Sequence, residues 1–260
     1  MDLAAVAEDG FGYVVNRPGD VREVWPGSIL THSPSPLPEF GSASRIRLGS
    51  EVDDPVRDVR AWFASRDRAR FVWSLGPSTT PTDLARRLLD LGAEPNPAKS
   101  EVTAMVLDRE PPEAPGDVAI RRVETLEDYV AQWEIFFVAF EVPEPEREAV
   151  RATLEARWVE LVADETGWTY LALIDGVPAA LGRVRRTEPG PLWLAGGATL
   201  PSARGRGLYR ALVRARWDDA VRLGASALVV QASDMSRPIL ERLGFRATGA
   251  IKLLIDRSAF

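Results

Sequence analysis

The segment with the clearest chemical pattern is residues 204–210, which read Arg-Gly-Arg-Gly-Leu-Tyr-Arg. It follows an apolar run over residues 192–200 and precedes apolar residues at helical spacing over 208–223, which predicts a strand–loop–helix junction. The first N–H groups of a helix have no intrahelical partners, and the helix dipole places partial positive charge at that end. With two arginines in the loop, this junction is a suitable site for a pyrophosphate group.

The arginine–glycine pattern alone has low specificity, because a solvated turn or a disordered RNA-binding fragment would also carry it. It lacks the Gly-Lys-Ser/Thr ending of a Walker A loop and the G-x-G-x-x-G spacing of a dinucleotide fingerprint. The elements that follow favour a phosphate loop. A buried-strand run at 227–231 is followed by a short helix that ends at Leu243, Gly244 and Phe245.

This order of elements resembles the GNAT superfamily of N-acyltransferases over residues 117–260, and only faintly before them. The family's R/Q-x-x-G-x-G/A loop corresponds to Arg204, Gly207 and Tyr209, with tyrosine in place of the usual small residue. The Leu-Gly-Phe at 243–245 matches a common ending of the helix after the family's fifth strand. The resemblance implies an α+β (α/β) fold, a mixed central sheet flanked by helices, with splayed strands at the site of acetyl-CoA.

The resemblance also implies which residues hold the coenzyme. The pyrophosphate contacts are expected from Arg204, Gly205, Arg206, Gly207, Leu208 and Tyr209. Pairing with the pantetheine arm and polarisation of the thioester carbonyl are expected from Gly197, Ala198 and Thr199. Two glycines interrupt the strand at 196–197, which fits such a splay or an ordinary bulge.

The proton-transfer groups usual in the family are missing from their positions. Many relatives carry a glutamate on the fourth strand, whereas residues 192–200 contain no acid; the position of a late-helix tyrosine is Leu240. Glu141, Tyr170 and Ser233 are the candidate catalytic residues, and Glu144, Asp234 and Tyr209 are further substitutes; each also fits a structural role. The only histidine, His32, is expected in a loop, with a general base as the alternative; one histidine cannot build a multi-histidine metal site.

The two halves of the sequence share an order of elements. Apolar patterning predicts helices over 55–65, 82–91, 126–140, 146–162, 208–223 and 236–243, and strands over 71–75, 102–107, 118–123, 170–174, 179–184, 192–200, 227–231 and 249–255. Residues 1–50 are expected to be irregular, and Thr80 or Thr82 is expected to cap the second helix. The repeated order predicts a degenerate N-terminal GNAT-like domain over 1–112 and a C-terminal acyltransferase domain over 113–260; a chance coincidence of elements is the alternative.

Composition narrows the functional classes. The 260 residues include 32 basic and 38 acidic side chains, and the net charge of −6 argues against a general nucleic-acid binder. No cysteine is present, which excludes disulfides and thiol nucleophiles. An acidic N-terminus unlike a signal peptide and the lack of a long apolar run favour a cytoplasmic protein that does not cross a membrane. The main hypothesis is an N-acetyltransferase that acts on a small-molecule or peptide amine, and the alternative is an acyl-CoA-binding protein without turnover.

Overall fold

The computed structural model describes residues 2–35, 37, 40–97, 99–188 and 190–257. The helices are α1 (Leu3–Glu8), α2 (Gly10–Tyr13), α3 (Asp53–Ala64), α4 (Leu84–Asp90), α5 (Leu126–Ala139), α6 (Glu144–Arg151), α7 (Leu154–Leu161), α8 (Leu208–Arg222) and α9 (Arg237–Arg242). The strands are β1 (Val21–Trp25), β2 (Ser28–His32), β3 (Gly41–Ser44), β4 (Arg70–Leu75), β5 (Glu94–Pro95), β6 (Glu101–Leu107), β7 (Ala119–Arg122), β8 (Gly167–Ile174), β9 (Val177–Arg186), β10 (Leu192–Trp193), β11 (Gly197–Thr199), β12 (Leu228–Ala232) and β13 (Arg246–Arg257). Among these residues, no helix combines the length and the apolar character that a membrane crossing requires.

These strands form one sheet with the order β1-β2-β3-β4-β13-β6-β12-β10-β9-β8-β7, to which β5 and β11 add at the side. Within the described chain, the β3–β4 and β10–β12 pairs are parallel and the other strand pairs are antiparallel. The mixed sheet between helices confirms the predicted fold class.

At the centre of the sheet, each half of the sequence places one strand beside a strand of the other half. On each side of the central β13–β6 pair, the order is an antiparallel strand followed by a parallel pair. However, β4 takes its antiparallel neighbour from the end of the chain, and β12 takes its neighbour, β6, from the first half. Residues 1–112 and 113–260 therefore share one sheet, and their division into two domains stays a prediction.

Side-chain alternation gives the sheet two covered faces. On one face, which we call the α8 face, α8 and α9 pack on residues such as Leu194, Val184 and Leu228. α3 and α4 cover the same face further along, around Trp73. On the opposite face, which we call the cleft face, α1 packs on the sheet centre and α5 packs on β9.

Most of the strongly patterned elements lie where their spacing predicts them, including α3, β4, α5, β6, β12 and α8. The predicted helix over 146–162 is two helices, because the chain breaks after α6, where the Thr153 hydroxyl donates to the Val150 carbonyl oxygen at 2.8 Å. The cap prediction at Thr80 or Thr82 is wrong. The N-cap of α4 is Asp83, whose carboxylate accepts from two arginines on the helix instead of from the backbone.

The prediction that residues 1–50 are irregular is also wrong, since this segment forms α1, α2, β1, β2 and β3. The strand β3 reads Gly-Ser-Ala-Ser and is buried along its whole length. Its small residues leave room for neighbours: a Cβ on Gly41 would lie 3.3 Å from the Phe63 ring and from the Arg68 side chain. A strand without large apolar residues carries no alternation that sequence patterning could detect.

Candidate functional site

The strand predicted over 192–200 divides where two neighbouring strands part. β10 pairs with both β9 and β12, and the last bond to β12 is donated by the Leu194 N–H to the Val229 carbonyl oxygen at 2.9 Å. The chain then turns at Gly196, whose φ is +88°. Beyond it, among the described strands, β11 pairs only with β9. A gap therefore opens between β11 and β12.

The register of β11 shows which of its amides face the gap. The Arg183 N–H donates to Gly196 and the Leu200 N–H donates to Ala179, which fixes these pairs as hydrogen-bonded. Antiparallel bonds alternate along a strand, so the Ala198 N–H also faces β9. The amides of Gly197 and Thr199 point the other way, towards the gap.

The loop after β11 leads directly into α8. A 3-10 turn at Pro201–Ala203 precedes Gly205 and Gly207, which both have a φ of +79°. Gly207 is the N-cap of α8 and provides no side chain, so the N–H groups of the first helical turn have no capping acceptor. A Cβ on Gly207 would lie 2.5 Å from the Pro115 ring, whereas a Cβ on Gly205 would meet open space.

Three arginines surround this helix start. Arg204, Arg206 and Arg210 are all exposed, and within the described part of the chain no hydrogen bond or ion pair engages their side chains. The first turn of α8 contains no acidic residue. Buried Leu208, at 2% exposure, anchors the turn in the core between them. The N-terminal start of α8 therefore has uncompensated positive charge facing solvent.

The Tyr209 ring lies between the helix start and β11. A Cβ built on Gly197 would lie 2.7 Å from its Cε2 atom, so the ring is in contact with this glycine. Further along the helix, Arg216 is 0% exposed and lies under the same strands. Burial raises the pKa of Tyr209, and the Arg216 guanidinium opposes that rise.

The apolar spacing over 208–223 includes Trp217 and Val221, which it predicts to be on the buried side of α8, and it gives no reason to bury Arg216. In the structure Val221 is 63% exposed, and the sheet-facing row is Tyr209, Leu212 and Arg216, with Ala220 beyond it. The spacing of seven between Tyr209 and Arg216 was a readable signal of a shared face. A charged side chain at such a position is normally expected in solvent.

A cleft of about 2110 Å³ connects these features with both halves of the chain. Its lining includes the loop, the gap between β11 and β12, the aromatic side of α5 and strands of the first half. Trp133 and Phe136 flank the Arg183 guanidinium, whose Cζ lies 4.5 Å and 4.9 Å from the two ring centroids, and the Gln132 side chain accepts from Arg183 Nε at 3.2 Å. The cleft is large enough for an acceptor substrate beside a coenzyme.

The candidate catalytic residues do not come together in this cleft. Glu141 lies in its lining after α5, exposed and with a φ of +51°. Ser233 and Asp234 lie in the lining after β12, and the Ser233 hydroxyl is 3.3 Å from that of Ser236. Glu144 instead accepts from Arg151 at 2.6 Å on the surface. Only the Ser233–Asp234 segment adjoins the strand that borders the gap.

The position of Tyr170 gives it a structural partner. Its hydroxyl donates to Asp219 Oδ2 at 2.9 Å, and the same oxygen accepts from Trp168 Nε1 at 2.6 Å. Burial and the neighbouring Asp219 raise the pKa of Tyr170 to about 12. Tyr170 lies on the α8 face and is not part of the cleft lining, which disfavours it as an acid or base.

His32 is the last residue of strand β2, so its predicted position in a loop is wrong. It lies in the cleft lining, where its Nδ1 accepts from Arg68 Nε at 3.3 Å. Burial and the adjacent Arg68 lower the pKa of His32, so the imidazole is neutral and its hydrogen lies on Nε2. The nitrogen that could accept a proton is therefore already engaged.

Comparisons with known proteins agree with this geometry. Residues 124–245 match the family model described as Acetyltransferase (GNAT) family. The fold is similar to a GCN5-related N-acetyltransferase from Kribbella flavida, 21% identical with a TM-score of 0.72 over 98% of this chain and 95% of that one. It is also similar to a tandem GNAT protein from the clavulanic acid biosynthesis pathway, 14% identical with a TM-score of 0.60 over 100% of this chain and 89% of that one. No curated protein sequence matches the chain significantly.

The matched segment contains the parting strands, the glycine–arginine loop, α8 and the strand β12 on the far side of the gap. The first half of the chain lies outside it, and its likeness to the solved structures is one of fold alone. Residues 124–245 thus match the GNAT acetyltransferase family model, and the chain as a whole has the GNAT fold.

Proposed function

We propose that this chain is an N-acetyltransferase that transfers the acetyl group of acetyl-CoA to the amine of a small molecule or peptide. The observation that carries the proposal is the adjacency of two unpaired backbone edges. The uncapped first turn of α8 lies next to the free amides of Gly197 and Thr199, with the Tyr209 ring in contact with both elements. One edge suits paired phosphates and the other suits an extended amide-containing arm.

The pyrophosphate is held by the N–H groups at the start of α8 and by the arginines around it. The residues assigned to this part are Arg204, Gly205, Arg206, Gly207, Leu208 and Tyr209. The pantetheine arm pairs with β11 at the gap, where Gly197 and Thr199 offer their amides. The Ala198 amide is used by β9, so this residue contributes only its small side chain to the wall of the gap.

Acetyl transfer then requires a polarised carbonyl and a neutral amine. An amide of β11 that faces the gap is suited to donate to the thioester oxygen as negative charge develops there. The amine enters from the cleft face and loses its proton to water in the cleft or to an acid in the lining, for which Glu141 and Asp234 are the candidates. Such proton-transfer groups contribute about 10²–10⁴-fold, so their absence slows the reaction without abolishing it.

We further propose that residues 1–112 are a diverged copy of residues 113–260 that supplies one wall of the cleft, and that the protein acts in the cytoplasm. The equivalent order of strands on the two sides of β13–β6 supports the first point. Residues of the first half in the cleft lining, among them Phe11, His32 and Arg70, support a role of this N-terminal copy as a wall of the acceptor side.

The coenzyme site is tested by calorimetry with acetyl-CoA on the wild type and on Arg204→Ala/Arg206→Ala/Arg210→Ala. We expect at least a tenfold loss of affinity, smaller at high salt because exposed charges are screened. Arg57→Ala is the matched control, since Arg57 is an exposed arginine on α3. Absence of binding in the wild type, or an unchanged affinity in the triple variant, would contradict the proposal.

A binding protein without turnover is the second candidate, and two observations favour it. No acid lies on β10 or β11, and Leu240, at the position of a family acid, is 0% exposed in the core. Release of free thiol from acetyl-CoA across a panel of amines separates the two candidates. Binding without thiol release above the uncatalysed rate would favour the second.

A further inference from the structure

A corner formed by two aromatic rings of α5 lies in the cleft lining and already contains a cation of the chain itself. The ring centroids of Trp133 and Phe136 lie 5.4 Å apart, with an interplanar angle of 70°. The Cζ atom of Arg183 lies 4.5 Å from the first centroid and 4.9 Å from the second. Such a pair of rings is suited to hold an ammonium group from solution, but the Arg183 guanidinium occupies that position.

The guanidinium of Arg183 is held in this corner by α5 and keeps its charge. Its Nε donates to Gln132 Oε1 at 3.2 Å, and Gln132 is 3% exposed. The two rings are buried as well. An arginine is not deprotonated in proteins, whichever groups its remaining N–H donors bond. The positive charge is therefore a fixed feature of the cleft wall.

The main chain of Arg183 places this side chain beside the point where the strands part. Its N–H donates to the Gly196 carbonyl oxygen at 2.9 Å, and its carbonyl oxygen accepts from the Ala195 N–H at 3.1 Å. Side chains alternate along a strand, and Leu181, two residues earlier on β9, packs with α5. The Arg183 side chain therefore leaves β9 on the cleft face, next to the turn at Gly196.

Two carboxylates of the same wall are already paired with arginines. Asp20 accepts from Arg185, which follows Arg183 by two residues on β9, at 3.1 Å. Asp164 forms an ion pair with Arg17 at 2.8 Å, and the Asp164 side chain is 3% exposed. Both acids are engaged, so neither is available to the ammonium group of a substrate.

We propose that Arg183 determines the specificity of the acceptor site and selects amines that carry a carboxylate at the other end of a short apolar chain. This inference rests on the proposed function. The amine nitrogen lies at the gap, where the thioester carbonyl is presented, and the carboxylate lies towards the guanidinium in the aromatic corner. A second ammonium group is disfavoured, because the corner that would hold it is filled by a like charge.

A series of acceptors that differ only in charge tests this selectivity. 4-Aminobutanoate, butylamine and 1,4-diaminobutane have carbon chains of the same length and differ in the group distal to the reacting amine. Release of free thiol from acetyl-CoA measures kcat/KM for each. We expect the wild type to prefer 4-aminobutanoate over butylamine, and butylamine over the diamine, by about tenfold in each case.

The variant Arg183→Met removes the charge and is expected to lower each of these preferences by about tenfold, since the aromatic corner becomes open to the second ammonium of the diamine. Arg183→Lys keeps the charge and is expected to retain the order of the three amines. Arg122→Met is the matched control, because Arg122 also lines the cleft and has its Cζ 5.1 Å from an indole centroid, that of Trp168. A purely structural role of Arg183 would lower kcat/KM for all three amines by the same factor.

A second measurement needs no turnover. Calorimetry with the same three amines on the complex with CoA gives their dissociation constants. We expect 4-aminobutanoate to bind the wild type at least about tenfold more tightly than the diamine, and this difference to be lost in Arg183→Met.

The outcomes separate this inference from the proposed function. If CoA does not bind the wild type, or if no amine of a broad panel releases thiol from acetyl-CoA, the proposed function fails and this inference fails with it. Acetyl transfer with the diamine as the preferred member of the series would overturn only the present inference. The same holds if none of the three amines binds the complex, or if their ratios are equal in the wild type and in Arg183→Met.

Discussion

The chain contains two strand–loop–helix junctions, and the charges at the starts of their helices are opposite. Each runs from a strand through a loop into a helix whose next strand lies parallel to the first, at β3–α3–β4 and at the β10/β11–α8–β12 unit. The first turn of α3 contains Asp53 and Asp54, whereas the first turn of α8 contains no acid and is surrounded by three arginines.

The loops differ in the same sense. In the first junction, Arg47 donates to Asp9 Oδ2 at 3.1 Å, and its N–H bonds the Gly27 carbonyl oxygen. In the second, arginines extend into solvent beside two glycines with positive φ. The carboxylates of Asp53 and Asp54 thus compensate the α3 dipole, whereas the first turn of α8 has no acid; under the proposed function its dipole is available to an external anion. Under the proposed function, the same topology gives one helix start with a structural role and one that accepts a ligand.

The largest effect is expected from making the second junction electrostatically like the first. Arg206→Asp/Arg210→Asp places two carboxylates at the start of α8, where they compensate the dipole and repel phosphates. We expect the affinity for CoA to fall on the order of a thousandfold, measured by calorimetry, with the helix itself unharmed. Arg57→Asp on α3 carries a charge reversal of the same type as a control. A double variant that still binds CoA within tenfold of wild type would contradict the comparison.

A smaller effect is expected from Asp9, the acid that accepts a hydrogen bond from Arg47 in the first junction. Burial raises the pKa of Asp9 to about 6 from an unfolded value of 3.8, although Arg47 opposes the shift. The folded state therefore favours the protonated carboxyl. The stability that this group contributes is present below pH 3.8 and is lost as the pH rises through about 6.

This pH dependence is tested with Asp9→Asn, which cannot ionise. Between pH 4 and pH 7, the free energy of unfolding of the wild type should fall relative to that of the variant by up to about 3 kcal/mol. Urea titrations across this range measure the difference. Parallel curves for the two proteins would show that Asp9 titrates in the folded state as it does in the unfolded state.

The comparison also shows what the sequence can and cannot reveal. The α8 junction was predictable because the glycines indicate its backbone conformation and the arginines indicate its charge. The first junction was missed, since β3 has no large apolar residue and its burial depends on neighbours such as Phe63. The exchange of β6 and β13 carries no local signal, because each strand reads as buried whichever partner it has.

The site was predictable to the same degree. The positive-φ glycines and exposed arginines at 204–207 follow from local residue types, and their contacts with a coenzyme stay a prediction. The burial of Arg216 does not follow from the sequence, because nothing in its neighbours marks a charged residue as interior. Arg216 is recognised only from its surroundings, because a Cβ on Gly182 would lie 2.9 Å from its Cζ atom and no carboxylate of the described residues pairs with it. Sequence patterning cannot identify a residue whose position depends on the side chain that a neighbouring glycine lacks.

The smallest effect contrasts one glycine from each junction. Gly207 has a φ of +79°, and a Cβ built on it would lie 2.5 Å from Pro115. Gly49, in the loop before α3, does not have a positive φ, and a Cβ built on it would meet open space. We expect Gly207→Ala to destabilise the protein by about 1–2 kcal/mol, and Gly49→Ala to be neutral or slightly stabilising through the unfolded chain. Urea unfolding measures both.

Adding Pro115→Ala to Gly207→Ala separates the two parts of that cost. Shortening the proline relieves the contact but not the backbone strain, so the double variant should recover only part of the lost stability, and the Pro115→Ala single variant corrects for the proline's own contribution. Full recovery would mean that the left-handed conformation at Gly207 costs nothing, and that the α8 junction does not need a glycine for its backbone. The difference between the two junctions would then lie in charge alone.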